Sequence, residues 1–302
     1  MKFNRTLFKV ALIVLGVLAP VAIFLRLHTY ASDLEPATGF FVRESLSCLI
    51  YNIIGFAVFA LSVLLALTRG GETFSSSDDQ SREEILLQDP TRSEAEMDVP
   101  DGHLHGFAKC ASVWEGTLSS FASFLPGFGM LAYALAFFTD KELLSDPYHL
   151  TYALLSVASG AYFILYALKN NPVRTRLRPF FALVPAFWCT VRMVVEYRDL
   201  ARFVNKTLYI GQFLFVISAL LFFLYQAQLF LGEKPMTRPN SYAFAALAPA
   251  FFGITARLPQ LIAVAMDRVS MDALDASSML IDLAITFFVC VKIQSVWREG
   301  NN

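Results

Sequence analysis

Hydrophobic positions along the chain fall into eight long blocks, at about Leu7–Leu25, Cys48–Leu67, Val113–Phe138, Leu150–Leu168, Phe180–Val195, Leu208–Leu231, Tyr242–Met266 and Leu274–Val296. About 20 residues of α-helix cross a hydrocarbon layer of about 30 Å, and these blocks have that scale. Lipid offers no hydrogen bonds, so each spanning segment must satisfy its amides internally, which selects helices. The polar–apolar alternation of a membrane barrel is absent. The pattern predicts an all-α, polytopic transmembrane helical bundle of eight helices, with the lipid bilayer as its first partner. A soluble bundle with a very large core would not need eight separate blocks of this length.

Composition agrees with the pattern. Hydrophobic residues make up 56% of the 302 and charged residues only 16%, against about 45–50% and about 25% in globular proteins. The net charge of −1 leaves no basic face of the kind that binds nucleic acid.

The total conceals an asymmetry that divides the chain into three parts. Residues 1–67 form a first transmembrane hairpin with its outer loop, 68–111 an acidic cytoplasmic loop, and 112–302 a six-helix transmembrane region. In the middle part ten acidic residues face only Arg69, Arg82, Arg92 and Lys109. This stretch is poor in aromatic and β-branched residues, so it buries too little apolar surface to offset the entropy of ordering. It is expected to be flexible, with a protein partner docking there as an alternative to simple solvation.

Lys and Arg set the orientation. With both termini inside, 15 lie on the cytoplasmic side and 7 outside, leaving Arg192 and Arg257 within helices. That is the expected positive-inside excess for a cell-membrane protein with N and C termini cytoplasmic. The first block, with its basic start and Ala31, is alternatively a cleaved secretory signal, which would leave seven spans.

Proline recurs inside the odd-numbered blocks, at Pro20, Pro126, Pro185 and Pro249. A proline removes one amide donor and tends to kink a helix, which membrane helices tolerate. The last three are separated by 59 and 64 residues, and the interval of 106 before them shrinks to the same range once the acidic insert is subtracted. The chain therefore reads as four Pro-kinked helical hairpins, related by an axis along the membrane normal. Two copies also match in residues, Leu183 to Arg192 as "LVPAFWCTVR" and Leu247 to Arg257 as "LAPAFFGITAR". Duplication is one source of that match and biased composition the other. The Leu183, Pro185, Trp188 and Arg192 phrase resembles one in a late helix of multi-pass membrane proteins of unknown function from Firmicutes, a likeness that covers about residues 113–296. It implies a bacterial inner membrane and no particular activity.

Charges in the blocks are the candidate chemistry, because each costs at least about 2.5–3.5 kcal/mol at membrane depth without a partner or a wet cavity. The substrate- or ion-pathway candidates are Arg192, Glu196, Arg257, Asp275 and Asp282. Asp275 and Asp282 are seven residues apart and share a helix face, Glu196 lies one turn beyond Arg192, and an Arg257 to Asp282 pair would neutralise both groups. One reading is a structural clamp in a non-catalytic scaffold or sensor; the other is a polar site for a small solute or ion in a transporter. Asn52, Gln212, Tyr225, Gln226 and Gln228 add polar groups, with interhelical hydrogen bonding as their plainer role. Trp114, Tyr148, Tyr242 and Trp297 near block ends suit the interface.

Other chemistries lack their groups. No phosphate loop, His-Glu-x-x-His helix or nucleophile elbow is present, so no enzyme and no cofactor is expected. The four cysteines have no metal or redox spacing, and His103, His105, Cys110 and Asp101 form a non-specific cluster, so no metal is expected.

Overall fold

The structure, a computed structural model, describes residues 5–32, 45–68, 117–139, 145–168, 178–200, 207–231, 239–269 and 271–299. The acidic stretch beyond residue 68, the His103–Cys110 cluster, Trp114 and the side chain of Trp297 lie outside what is described. Within it the chain is a helical bundle and no strand occurs. The helices are α1 (Arg5–Ser32), α2 (Leu46–Thr68), α3 (Thr117–Thr139), α4 (Pro147–Ala167), α5 (Arg178–Leu200), α6 (Thr207–Leu231), α7 and α8 (Ala273–Glu299). The seventh is composite: an α segment Pro239–Phe252, a π turn Gly253–Arg257 and a second α segment Leu258–Ala265. All eight contain a window long and apolar enough to cross a membrane.

Large apolar side chains cover the outer faces, with Ile13, Phe24, Leu46, Leu135 and Phe180 all at least 66% exposed. So much outward-facing hydrocarbon is tolerable only when the surrounding solvent is lipid, and the protein is a multi-pass membrane protein.

Apart from α2 and α3, successive helices pack as neighbours, and the helices run alternately up and down. We call the end where odd-numbered helices finish the upper end. Helix α7 occupies the middle, touching α1, α2, α6 and α8, while α8 also packs along α3. In α7 72% of the spanning window is buried, against 11% in α1, so the second copy of the repeated phrase forms the axis of the bundle. Helix α3 meets α4 through Gly127 and Gly160. A Cβ on Gly160 would lie 2.9 Å from the Gly127 carbonyl oxygen, so the backbones approach as small residues allow in membranes.

The start of α4 and the end of α7 use ordinary capping chemistry. Pro147 opens α4 where its missing amide costs nothing, and Asp146 accepts from the Tyr148 N–H at 3.0 Å. After α7, Arg268 N–H reaches the Ala263 carbonyl and Asp267 N–H the Val264 carbonyl, with Asp267 at φ 56° in the left-handed conformation that Asp tolerates.

Pro20, Pro126, Pro185 and Pro249 each lie inside a helix, as the sequence indicates. The repeated phrase differs in length between its copies: Arg192 follows Pro185 by seven residues and Arg257 follows Pro249 by eight. The π turn begins four residues beyond Pro249 and absorbs the extra residue. Without it Arg257 would turn about 100° away from the face that Arg192 occupies on its own helix. One expectation is corrected here. Tyr242 is not an interfacial ring but is 1% exposed, packed on Phe222 with centroids 5.0 Å apart, because α7 is central and even its first turns are covered.

Candidate functional site

Three helices converge on one carboxylate two to three turns below the upper end. Helix α8 supplies Asp282, fully buried, and holds it by the Thr286 hydroxyl donating to the Asp282 carbonyl at 2.6 Å. Helix α5 supplies Arg192, which clasps Asp282 through both terminal nitrogens: Nη1 donates to Oδ1, and Nη2 to Oδ2 at 2.7 Å. This is the fork geometry that makes arginine the preferred partner of carboxylates. The π turn of α7 supplies Arg257, whose Nε donates to the same Oδ2 at 2.6 Å and whose Nη2 lies 2.5 Å from it.

The remaining donors are occupied as well. Arg192 Nε donates to Glu196 Oε1 at 2.6 Å, one turn along α5, and its Nη2 reaches Ser278 Oγ at 3.3 Å. Arg257 Nη1 donates to Gln260 Oε1 at 2.8 Å, and Gln212 of α6 donates to that oxygen at 3.2 Å. Two guanidinia and two carboxylates give a formally neutral group. Burial without such pairing would cost several kcal/mol per ion.

Of the five candidates from the sequence, Arg192, Glu196, Arg257 and Asp282 come together, with both anticipated pairs present. Asp282 does more than expected, since it serves both arginines. Asp275 does not join them. It shares the face of Asp282 but lies two turns higher, in the exposed first turn of α8. Among the accessory polar residues Gln212 enters the network, Asn52 and Gln226 are buried elsewhere, and Gln228 is exposed.

Aromatic groups wall the network on the α4 side. Trp188 lies against Arg192, 5.2 Å from the guanidinium carbon to the ring centroid, and donates through Nε1 to Ser156 of α4 at 2.9 Å. Tyr152 of α4 packs on Trp188 at 5.7 Å and is 4% exposed.

Two buried cations escape the sequence reading. Arg26 of α1 is 1% exposed, with Nη1 4.0 Å from Cys48 Sγ and its guanidinium 4.8 Å from the Tyr51 ring centroid. It follows the first apolar block and so reads as a flank, yet α1 continues to Ser32. Lys292 of α8, also fully buried, donates to Ser119 of α3 at 2.8 Å and Tyr166 of α4 at 2.9 Å. The signal was there, a lysine inside the last apolar block.

A further ion pair lies at the upper ends of two spans, between Arg198, the last residue of one, and Asp146, which just precedes the other. Arg198 Nη2 is 2.7 Å from Asp146 Oδ2. The hydrogen bond from Arg198, helped by the Tyr148 amide, holds the Asp146 carboxyl at about 2 against its ordinary 3.8. A carboxylate depressed in the folded state stabilises fully above its unfolded pKa, and the contribution disappears as pH falls from about 4 to about 2. Thermal melts of Asp146→Asn in detergent should therefore vary less with pH across that window than wild type and respond alike above pH 5.

Among the described residues no group of three or more His, Cys, Asp and Glu side chains has the arrangement of a metal site. No family model matches the chain, and neither a curated protein nor a solved structure shows significant similarity to it.

Proposed function

We propose that this multi-pass membrane protein handles a small solute or ion, as a transporter or solute-binding protein, and that the four-residue ion network is its site in a closed conformation. The observation that supports this reading is that one buried carboxylate, Asp282, holds arginines from two different proline-containing helices. Ionisable groups kept at membrane depth mark solute and ion pathways as a rule. A network joining α5, α7 and α8 opens and closes whenever those helices separate. Orientation with both termini cytoplasmic, in a bacterial inner membrane, completes the proposal and puts the upper end outside.

A specific observation supports a second reading, a scaffold with a structural clamp. Every guanidinium nitrogen of both arginines has a carboxylate, amide or hydroxyl partner. The crevice between α2, α6 and α7, lined by Phe59, Val63, Ser218 and Tyr225, is apolar and away from the charges. Saturated buried ion networks specify arrangement with no ligand at all.

Arg257→Ala separates the two. It leaves Asp282 clasped by Arg192, so the fold should survive. Proteoliposomes would be offered labelled acetate, alanine, lysine and glucose in turn. Uptake of at least one by wild type, lost in a variant that elutes and melts normally, is the expected result. Rates equal to empty liposomes for all four, or a variant that fails to accumulate, favour the clamp.

A further inference from the structure

We infer that Arg192 and Tyr152 form a binding site for a small monoanionic carboxylate, which enters from the upper end by taking the place of Glu196. The inference rests on the solute-handling reading above and names the class of solute.

The four charged residues are not equivalent. Asp282 is fully buried and engages four guanidinium contacts, whereas the Glu196 side chain is 23% exposed and engages one nitrogen, Arg192 Nε. Glu196 is the member that can leave. Its departure changes the formal charge of the group from zero to +1, which a single carboxylate restores. The nitrogen it vacates belongs to a guanidinium whose other end stays clamped on Asp282, so the donor keeps its orientation.

A second, independent observation points to the same place. The Tyr152 hydroxyl is buried and has no hydrogen-bond partner among the described residues. Buried hydroxyls without partners are uncommon, and each calls for an explanation. The antiparallel register of α4 and α5, fixed by Ser159 on the Val184 carbonyl, Trp188 on Ser156 and Arg198 on Asp146, puts Tyr152 level with Arg192. It lies in the electrostatic field of Arg192, Glu196 and Asp282. A carboxylate has two oxygens, and the chain offers one guanidinium N–H and one phenolic O–H to receive them. Trp188, packed on both Tyr152 and Arg192, provides an apolar wall for a short alkyl group.

Binding of labelled acetate to the purified full chain would be measured at constant ionic strength, with fluorescence of a variant whose sole tryptophan is Trp188 as a second readout. Wild type should bind acetate saturably. Glu196→Gln, which removes the competing charge at a partly exposed position, should bind at least tenfold more tightly. Tyr152→Phe should bind at least fivefold more weakly while melting at or above the wild-type temperature, because it deletes a hydroxyl that has no partner among the described residues. No saturable binding by either wild type or Glu196→Gln, or unchanged affinity in Tyr152→Phe, overturns the inference. Acetate binding without uptake keeps the site and removes transport. Uptake of another solute that is indifferent to both substitutions keeps transport and removes this site.

Discussion

Asp282→Ala is expected to abolish accumulation of the protein in the membrane. The substitution leaves the guanidinia of Arg192 and Arg257 facing each other across the space of the lost carboxylate, with Glu196 alone to balance them. Removing one partner of a buried ion pair costs about 3–5 kcal/mol, chiefly through the stranded charge, and with Arg192 still on Glu196 it is Arg257 that is stranded here. That is a large part of the about 5–15 kcal/mol by which native proteins are typically stable. Asp282→Asn should be milder but still defective, because the amide presents one acceptor to four guanidinium contacts. The informative companion removes the network as a whole: Arg192→Met, Arg257→Met, Asp282→Leu and Glu196→Gln together. Apolar replacement of a complete buried ion group is often neutral or stabilising, so this variant should reach the membrane. If it does and solute uptake is gone, the charges serve a site; if the single Asp282→Ala accumulates like wild type, the network is not what joins α5, α7 and α8.

The contrast between Asp282 and Asp275 shows what the sequence discloses and where it stops. Hydrophobic blocks reveal the eight helices because lipid penalises every unpaired amide, so composition and length decide the matter with little tertiary information. Residues 178–200, for example, extend the block Phe180–Val195 by only a few at each end. The Arg192 and Glu196 pair is readable because one helical turn separates them, and Arg257 with Asp282 because charges at membrane depth have few alternatives. Helical periodicity also puts Asp275 on the face of Asp282, yet in the first turn of α8 Leu274 packs on the core while Asp275 is left exposed. Where neighbours stop is a property of other helices. The sharing of Asp282 by two arginines is illegible for a similar reason, since it depends on the azimuth of Arg257. That azimuth depends on a π turn, whose one sequence trace is the extra residue between Pro249 and Arg257. Arg26 and Lys292 were missed because long basic side chains near block ends commonly reach toward the interface, whereas both are enclosed by neighbouring helices.

Gly253→Ala should destabilise the protein by more than the about 1–3 kcal/mol of ordinary core overpacking. Gly253 opens the π turn, and a Cβ there would lie 1.7 Å from Thr286 Oγ1, 2.7 Å from Thr286 Cβ and 2.8 Å from Thr286 Cγ2. All three atoms are too close, so turning the threonine about χ1 moves one clash onto another and the helices must separate. Thr286 lies one turn beyond Asp282 and donates to its carbonyl. A displacement of α8 at this point therefore draws Asp282 away from Arg257, and the steric loss compounds an electrostatic one. Thermal melts of the detergent-solubilised protein test the claim against two references. Gly16→Ala, with nothing within 4 Å of the added carbon, should hold or raise stability, as replacing a mid-helix glycine usually gains about 0.5–1 kcal/mol. Adding Thr286→Ala to Gly253→Ala removes the 1.7 and 2.8 Å contacts but keeps the one at 2.7 Å, so it should recover part of the loss and not all. A Gly253→Ala protein that melts with wild type would mean that α7 and α8 are not in contact at Thr286, and the seating of Arg257 on Asp282 would need another cause.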